Sequence, residues 1–238
     1  MCILLALARG SGVGELCIAA NRDESLDRPW QSPRLLAPDP PVFGGRDLVG
    51  GGSWLAVNLE AGFVVAVTNA RLGAAPRERS RGTLVLDLAS ERSLPHAVAL
   101  ASELELARYG EFNLLLADAW ARWLATNEPA PLIERVEGPV IAVGNSRLSE
   151  PGERVLAAAD RAGKLADLTG EVLLEFLRNL LADHGGTDPL CRHGVRYGTV
   201  CSSLIVLRGR QVLDYRFAPG PPCTTPYAPV ALPRCSPA

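Results

Sequence analysis

Aromatic side chains are scarce in this sequence, at 5%, which leaves little material for base-stacking platforms. An excess of one charge is missing too, since 24 basic and 26 acidic residues give a net −2. So close a balance supplies no field to draw the chain onto nucleic acid or an anionic membrane. No apolar run reaches the roughly 18 residues of a membrane-spanning helix. Glu15 and Arg22 interrupt the amino-terminal apolar stretch early, so no export signal is expected. The six cysteines (Cys2, Cys17, Cys191, Cys201, Cys223, Cys235) contain no CxxC pair. Reduced thiols and a cytoplasmic location are the expectation. There is no GxSxG elbow for a serine nucleophile. Gly50-Gly51-Gly52 lacks the following lysine and helix of a phosphate cradle and reads as a tight turn near a pocket.

What is there is core. Hydrophobic residues make up 47% and charged residues 21% of 238, ordinary for one soluble domain. Residues 3–8 and 15–20 are short apolar runs joined by a glycine-rich segment, Gly10 to Gly14, and read as a hairpin. Residues 25–52, dense in proline and glycine, read as a long loop. Further hairpins are expected at 54–59/63–68, 112–117/120–125 and 202–208/211–217, and a strand at 139–143. Helical patterns occupy 82–108, with a break near Ser93-Leu94-Pro95, then 150–162 and 169–183. In the last of these, Val172, Leu173, Phe176, Leu177, Leu180 and Leu181 recur at helical spacing. Strand groups alternating with helix groups indicate an α+β layered fold. One domain over 1–217 is expected, followed by a proline-rich tail, 218–238, unsuited to helix or sheet interior.

A strand starting this early places Cys2 at a sheet edge, with a free α-amine once Met1 is removed. An α-amine titrates near 7.7–8.0 and a thiol near 8.5, so one residue supplies nucleophile and general base. Such a site still needs a cation, a carboxylate and oxyanion donors. Asn21-Arg22-Asp23-Glu24 ends the second strand. Side chains alternate faces along a strand, so Arg22 and Asp23 are expected to converge on Cys2 only through a bend. Asn69 and Asn145 stand at later strand ends, where pockets open. His184, Cys191 and His193 match no standard metal spacing and are read as surface-loop residues, with no metal expected. His96 is placed on a helix face without a partner.

Met1-Cys2-Ile3, Asn21-Arg22-Asp23-Glu24 and Arg28-Pro29 resemble the NRDE family, which includes the transport and Golgi organisation protein 2 group. So do Gly50 to Leu55, Thr68-Asn69, Ser80-Arg81-Gly82, Phe112-Asn113-Leu114, Gly144-Asn145-Ser146 and Tyr197-Gly198-Thr199. The resemblance implies an αββα sandwich of the N-terminal-nucleophile (Ntn) hydrolase type, two stacked, mainly antiparallel sheets flanked by helices. It implies Cys2 as nucleophile, supported by Arg22, Asp23, Asn69 and Asn145, with Asn21, Trp54, Arg81, Asn113 and Arg196 around a substrate. Where many members have Tyr-Gly-Thr-Arg, this chain has Val200, and Arg192 or Arg196 is the expected substitute.

The expected function is cleavage or transfer of a small acyl group, from an amide or ester, without a cofactor. The alternative on the same fold is a heme or lipid carrier, heme then being a bound ligand. A scaffold acting through the tail is a third reading. The partners considered are a small acyl molecule or heme, with a second copy of the chain as a further candidate.

Overall fold

Strand β1 (Ile3–Arg9) is apolar on both faces because its sheet is covered on both. Leu4 and Ala6 enter the core between the sheets, whereas Ile3, Leu5 and Leu7 lie beneath helices. Strand β2 (Glu15–Ser25) pairs with it antiparallel. The computed structural model of the protein describes residues 2–9, 14–70, 77–165 and 168–233. Met1, the hairpin tip from Gly10 to Val13, and Cys235 lie outside the described residues.

Residues 25–52 are not a loop. They hold β3 (Trp30–Pro38) and β4 (Pro41–Asp47). Proline density hid them, yet β3 is the outermost strand of its sheet, where a missing N–H costs no ladder bond. The chain continues through β5 (Leu55–Asn58), β6 (Phe63–Asn69), α1 (Arg81–Ala89) and α2 (Leu94–Glu103). Ser80 and Ser93 cap the two helices, and Pro95 sits in the first turn of α2, a position that needs no N–H donor. His96 has a partner after all, its Nδ1 lying 2.6 Å from the Ser93 hydroxyl.

Next come β7 (Phe112–Asp118), β8 (Arg122–Thr126), β9 (Leu132–Arg135) and β10 (Val140–Gly144). Helices α3 (Glu153–Gly163) and α4 (Gly170–Leu181) precede β11 (Tyr197–Arg208), β12 (Gln211–Ala218) and β13 (Ala228–Pro229). On α4 the buried stripe is Leu173, Leu174, Leu177, Leu180 and Leu181, whereas Val172 and Phe176 are exposed.

One sheet runs β10-β1-β2-β11-β12-β13 and the other β3-β4-β5-β6-β7-β8-β9. Three apolar layers bind them into an αββα sandwich. Leu16, Ile18, Val64, Leu115 and Ile205 fill the space between the sheets. Val65, Leu88, Ala97 and Leu114 join the second sheet to α1 and α2, while Ala19, Ala158 and Leu177 join the first to α3 and α4. The proline-rich segment after β12 is laid on the first sheet through β13, and Val230 donates to the Tyr215 carbonyl at 2.8 Å.

Candidate active site

Ile3 pairs with Asn21 on one side and Gly144 on the other, so Cys2 lies at the end of β1 between β2 and β10. A cleft of about 460 Å³ opens there, and Cys2, Arg22, Asp23, Trp54, Asn69 and Arg81 all border it. Cys2 is half-buried. Burial pushes its thiol up, and the Asp23 charge adds to this, whereas the Asp23 backbone N–H and the Arg22 guanidinium oppose it.

The expected bend does not occur. β2 runs on to Ser25, and Arg22 and Asp23 find partners on opposite sides of the sheet, as the pleat dictates. Cys2, at the strand end, feels the charge of both. Arg22 turns toward the second sheet, where its Nη2 donates to Asp47 at 2.6 Å and its guanidinium stacks 4.4 Å over Trp54. Its Nη1 is buried with no hydrogen-bond partner among the described residues. Arg28 grips the same carboxylate twice, at 2.7 and 3.0 Å, and Val49 and Gly50 donate backbone N–H groups to it. Burial alone would raise the Asp47 carboxyl, but Arg28, Gly50 and Arg22 together hold it below its usual range.

Asp23 turns toward α3. It forms an ion pair with Arg154 at 2.7 Å, both side chains being buried, and accepts from the Thr199 hydroxyl at 2.6 Å. A bulge in β11 makes this possible: Thr199 faces Asp23 and Cys201 faces Arg22, with Val200 the extra residue. Bulges re-aim side chains in this way. Val200 thereby enters the core between the sheets and does not border the cleft. Arg196 is exposed and Arg192 pairs with Asp188. Neither borders the cleft. The buried arginine beside Asp23 is Arg154.

Of the asparagines, Asn69 alone borders the cleft. Asn145 donates its amide to the Asn69 carbonyl at 2.5 Å and leaves its Oδ1 buried and unpartnered among the described residues. It positions Asn69 from behind. Asn21 is turned inward, donating at 2.8 Å to the carbonyls of Leu181 and Leu190. Asn113 donates to Gly144 and Ser146. Both are structural braces: Asn21 ties β2 to the segment around α4, and Asn113 ties β7 to the end of β10. Arg81 donates to the Glu111 carbonyl at 3.1 Å, and burial pulls its guanidinium below its ordinary value.

Gly50 and Gly51 also border the cleft. Gly52 has φ +88°, and a Cβ there would stand 2.1 Å from the Gly82 carbonyl oxygen, whereas one on Gly51 (φ +65°) would meet nothing within 4 Å. Gly51→Ala is expected to cost about 1–3 kcal/mol for the backbone conformation alone. Gly52→Ala must add a clash to that. Equal denaturation midpoints for the two variants would show that the Gly52–Gly82 approach is not rigid.

The αββα sandwich is a fold of the Ntn-hydrolase type. A solved structure of the Caenorhabditis elegans N-acylethanolamine-hydrolyzing acid amidase (NAAA) ortholog superposes with a TM-score of 0.60 at 11% identity, covering 85% of this chain and 92% of that one. Eukaryotic HslV from Trypanosoma brucei gives 0.40 at 13% identity, over 74% of this chain and 86% of that one. No curated protein matches the chain by sequence. The family model described as Transport and Golgi organisation 2 matches residues 1–186, and the chain belongs to that family.

Proposed function

We propose that the protein, with Met1 removed, hydrolyses or transfers a small acyl group from an amide or ester through Cys2. The observation carrying this reading is that Cys2, half-buried at the end of β1, lines one cleft with Arg22 and Asp23, whose charges both act on its thiol. The free α-amine takes the thiol proton, and the sulfur attacks the acyl carbon. Arg22 Nη1, buried and without a partner among the described residues, is available to developing negative charge. Asn69, which borders the same cleft, supplies a second donor to that charge. The C–N or C–O bond then breaks, and the ammonium returns its proton to the leaving group. Water enters next: the amine takes its proton, its oxygen bonds to the acyl carbon, the C–S bond breaks, and the ammonium returns the proton to the Cys2 sulfur. Asp23, itself fixed by Arg154 and Thr199, holds the amine.

The cleft's border carries five arginines (Arg22, Arg28, Arg77, Arg79, Arg81) against Asp23, Glu24, Asp47 and Glu78. This polar lining favours an acyl compound with a polar or anionic end over an apolar lipid or porphyrin.

The test is intact-mass analysis after incubation with a short activated ester. The parent should gain one acyl group on its amino-terminal peptide, and Cys2→Ala should gain none. Equal labelling of both proteins, or full turnover by protein that retains Met1, would sink the mechanism.

A further inference from the structure

Across the first sheet from the cleft, the loop between α4 and β11 gathers three side chains that the sequence scatters, and the segment after β12 adds a fourth. His184, Cys191, His193 and Cys223 bring one ligand atom each to within 4.8 Å of one another. Cys191, read from sequence as a loop residue at the surface, is fully buried. We propose that these four residues bind one Zn²⁺ ion in a structural Cys₂His₂ site.

The geometry is close to what the metal requires. With Zn–S near 2.3 Å and Zn–N near 2.0–2.1 Å, tetrahedral ligand atoms stand roughly 3.3–3.8 Å apart. The two sulfurs are 3.6 Å apart, and His193 Nε2 lies 3.1 Å from the Cys223 sulfur and 3.8 Å from that of Cys191. The rings of His184 and His193 are 5.0 Å apart. His184 Nδ1 lies 3.0 Å from the Cys191 carbonyl. A carbonyl only accepts, so Nδ1 carries the proton and Nε2 keeps its lone pair for the metal. That carbonyl-anchored imidazole is the usual outer-shell support of a zinc histidine. Two thiolates and two imidazoles in a tetrahedron select zinc over harder cations. On binding, two thiol protons leave and the ion's two charges replace them, so the local charge is unchanged.

Four protein ligands leave no open position, which makes the site structural. Its location gives it a task. Leu190, next to Cys191, presents the carbonyl that receives both Asn21 and Arg154. The Arg192 N–H donates to the Thr199 hydroxyl, which in turn donates to Asp23. The ion would tie the carboxy-terminal segment to the wall that holds Asp23. All ligands but His184 lie beyond the residues that the family model matches.

The experiment uses the full chain, purified under reductant without chelator. One zinc per chain is expected by plasma mass spectrometry. Cys191 and Cys223 should resist alkylation until a chelator is added, and Cys223→Ser should lose the zinc. Cobalt substituted into the parent protein should give sulfur-to-metal charge-transfer bands with tetrahedral d–d bands, a readout that needs no variant. Failure to bind zinc or cobalt at micromolar concentration would overturn the site, as would zinc retained in full by Cys223→Ser. A Cys191–Cys223 disulfide in the reduced preparation would overturn it equally.

Discussion

Replacing Arg154 by alanine is expected to cost about 3–5 kcal/mol of folding stability, as when one partner of a buried ion pair is removed. Arg154 and Asp23 are 4% and 0% exposed and 2.7 Å apart, so truncation leaves a buried carboxylate without this counter-charge. Arg154 also donates to the Leu190 carbonyl at 2.7 Å, which lysine cannot reproduce together with the ion pair. The diagnostic variant is therefore the double one. Asp23→Asn removes the stranded charge, and Arg154→Ala combined with it should be more stable than Arg154→Ala alone. A coupling of about 0.5–3 kcal/mol in the cycle is the expected range for residues in contact. Strict additivity in urea denaturation would show that the two side chains do not sense one another. A catalytic reading makes a second demand: Arg154→Lys should lose Cys2 acylation by more than its loss of folded protein explains.

Asp47→Ala is the other substitution with a large expected effect, again about 3–5 kcal/mol, because it strips the buried Arg22 of its closest carboxylate. Arg22 is 4% exposed and Asp47 11% at the side chain, so solvent screens this pair little. Glu24, at 3.7 Å and partly exposed, offsets the loss only in part. Asp47 also sets a pH dependence. Its carboxyl is held below the ordinary value in the folded chain, so its contribution is complete above the unfolded value of about 3.9. That contribution disappears as pH falls through the lower folded value. Asp47→Asn should therefore be less stable than the parent at neutral pH and converge with it below about pH 4. Parallel stability curves across that window would mean that Asp47 is not the titrating group.

The hairpins, the helix break at Ser93 and the layered order are legible in the sequence because they rest on local rules. Short apolar runs between glycines form strands, and a serine before a proline caps a helix. The pair β3 and β4 is not legible, since its prolines obey an edge-strand rule that requires knowing which strand is outermost. The site divides along the same line. Cys2, Arg22 and Asp23 declare themselves through position and motif. Asp47, which organises Arg22 and Arg28, lay inside the supposed loop. Arg154 gave one faint signal: it stands four and eight residues before Ala158 and Ala162, a lone charge on the buried face of its helix. Val200 looked like a missing arginine because the bulge that turns it inward is a property of two paired strands. The His/Cys cluster escaped spacing rules for a similar reason, its fourth member arriving from the opposite end of a hairpin.

The two sheets are fastened to each other by polar bonds near Cys2. Thr68 and Asn113, on β6 and β7, donate to the Gly144 carbonyl at 2.9 and 3.0 Å, and Asn145 reaches back to Asn69. Among the described residues, the inter-sheet layer away from this end is joined by side chains such as Leu16, Leu207 and Val57, whose attraction carries no direction. The sandwich is thus clasped beside Cys2 by side chains that cross directly from one sheet to the other. Sliding one sheet over the other would break these directed bonds at the Cys2 end, whereas apolar contacts such as those of Leu16 and Val57 set no preferred register.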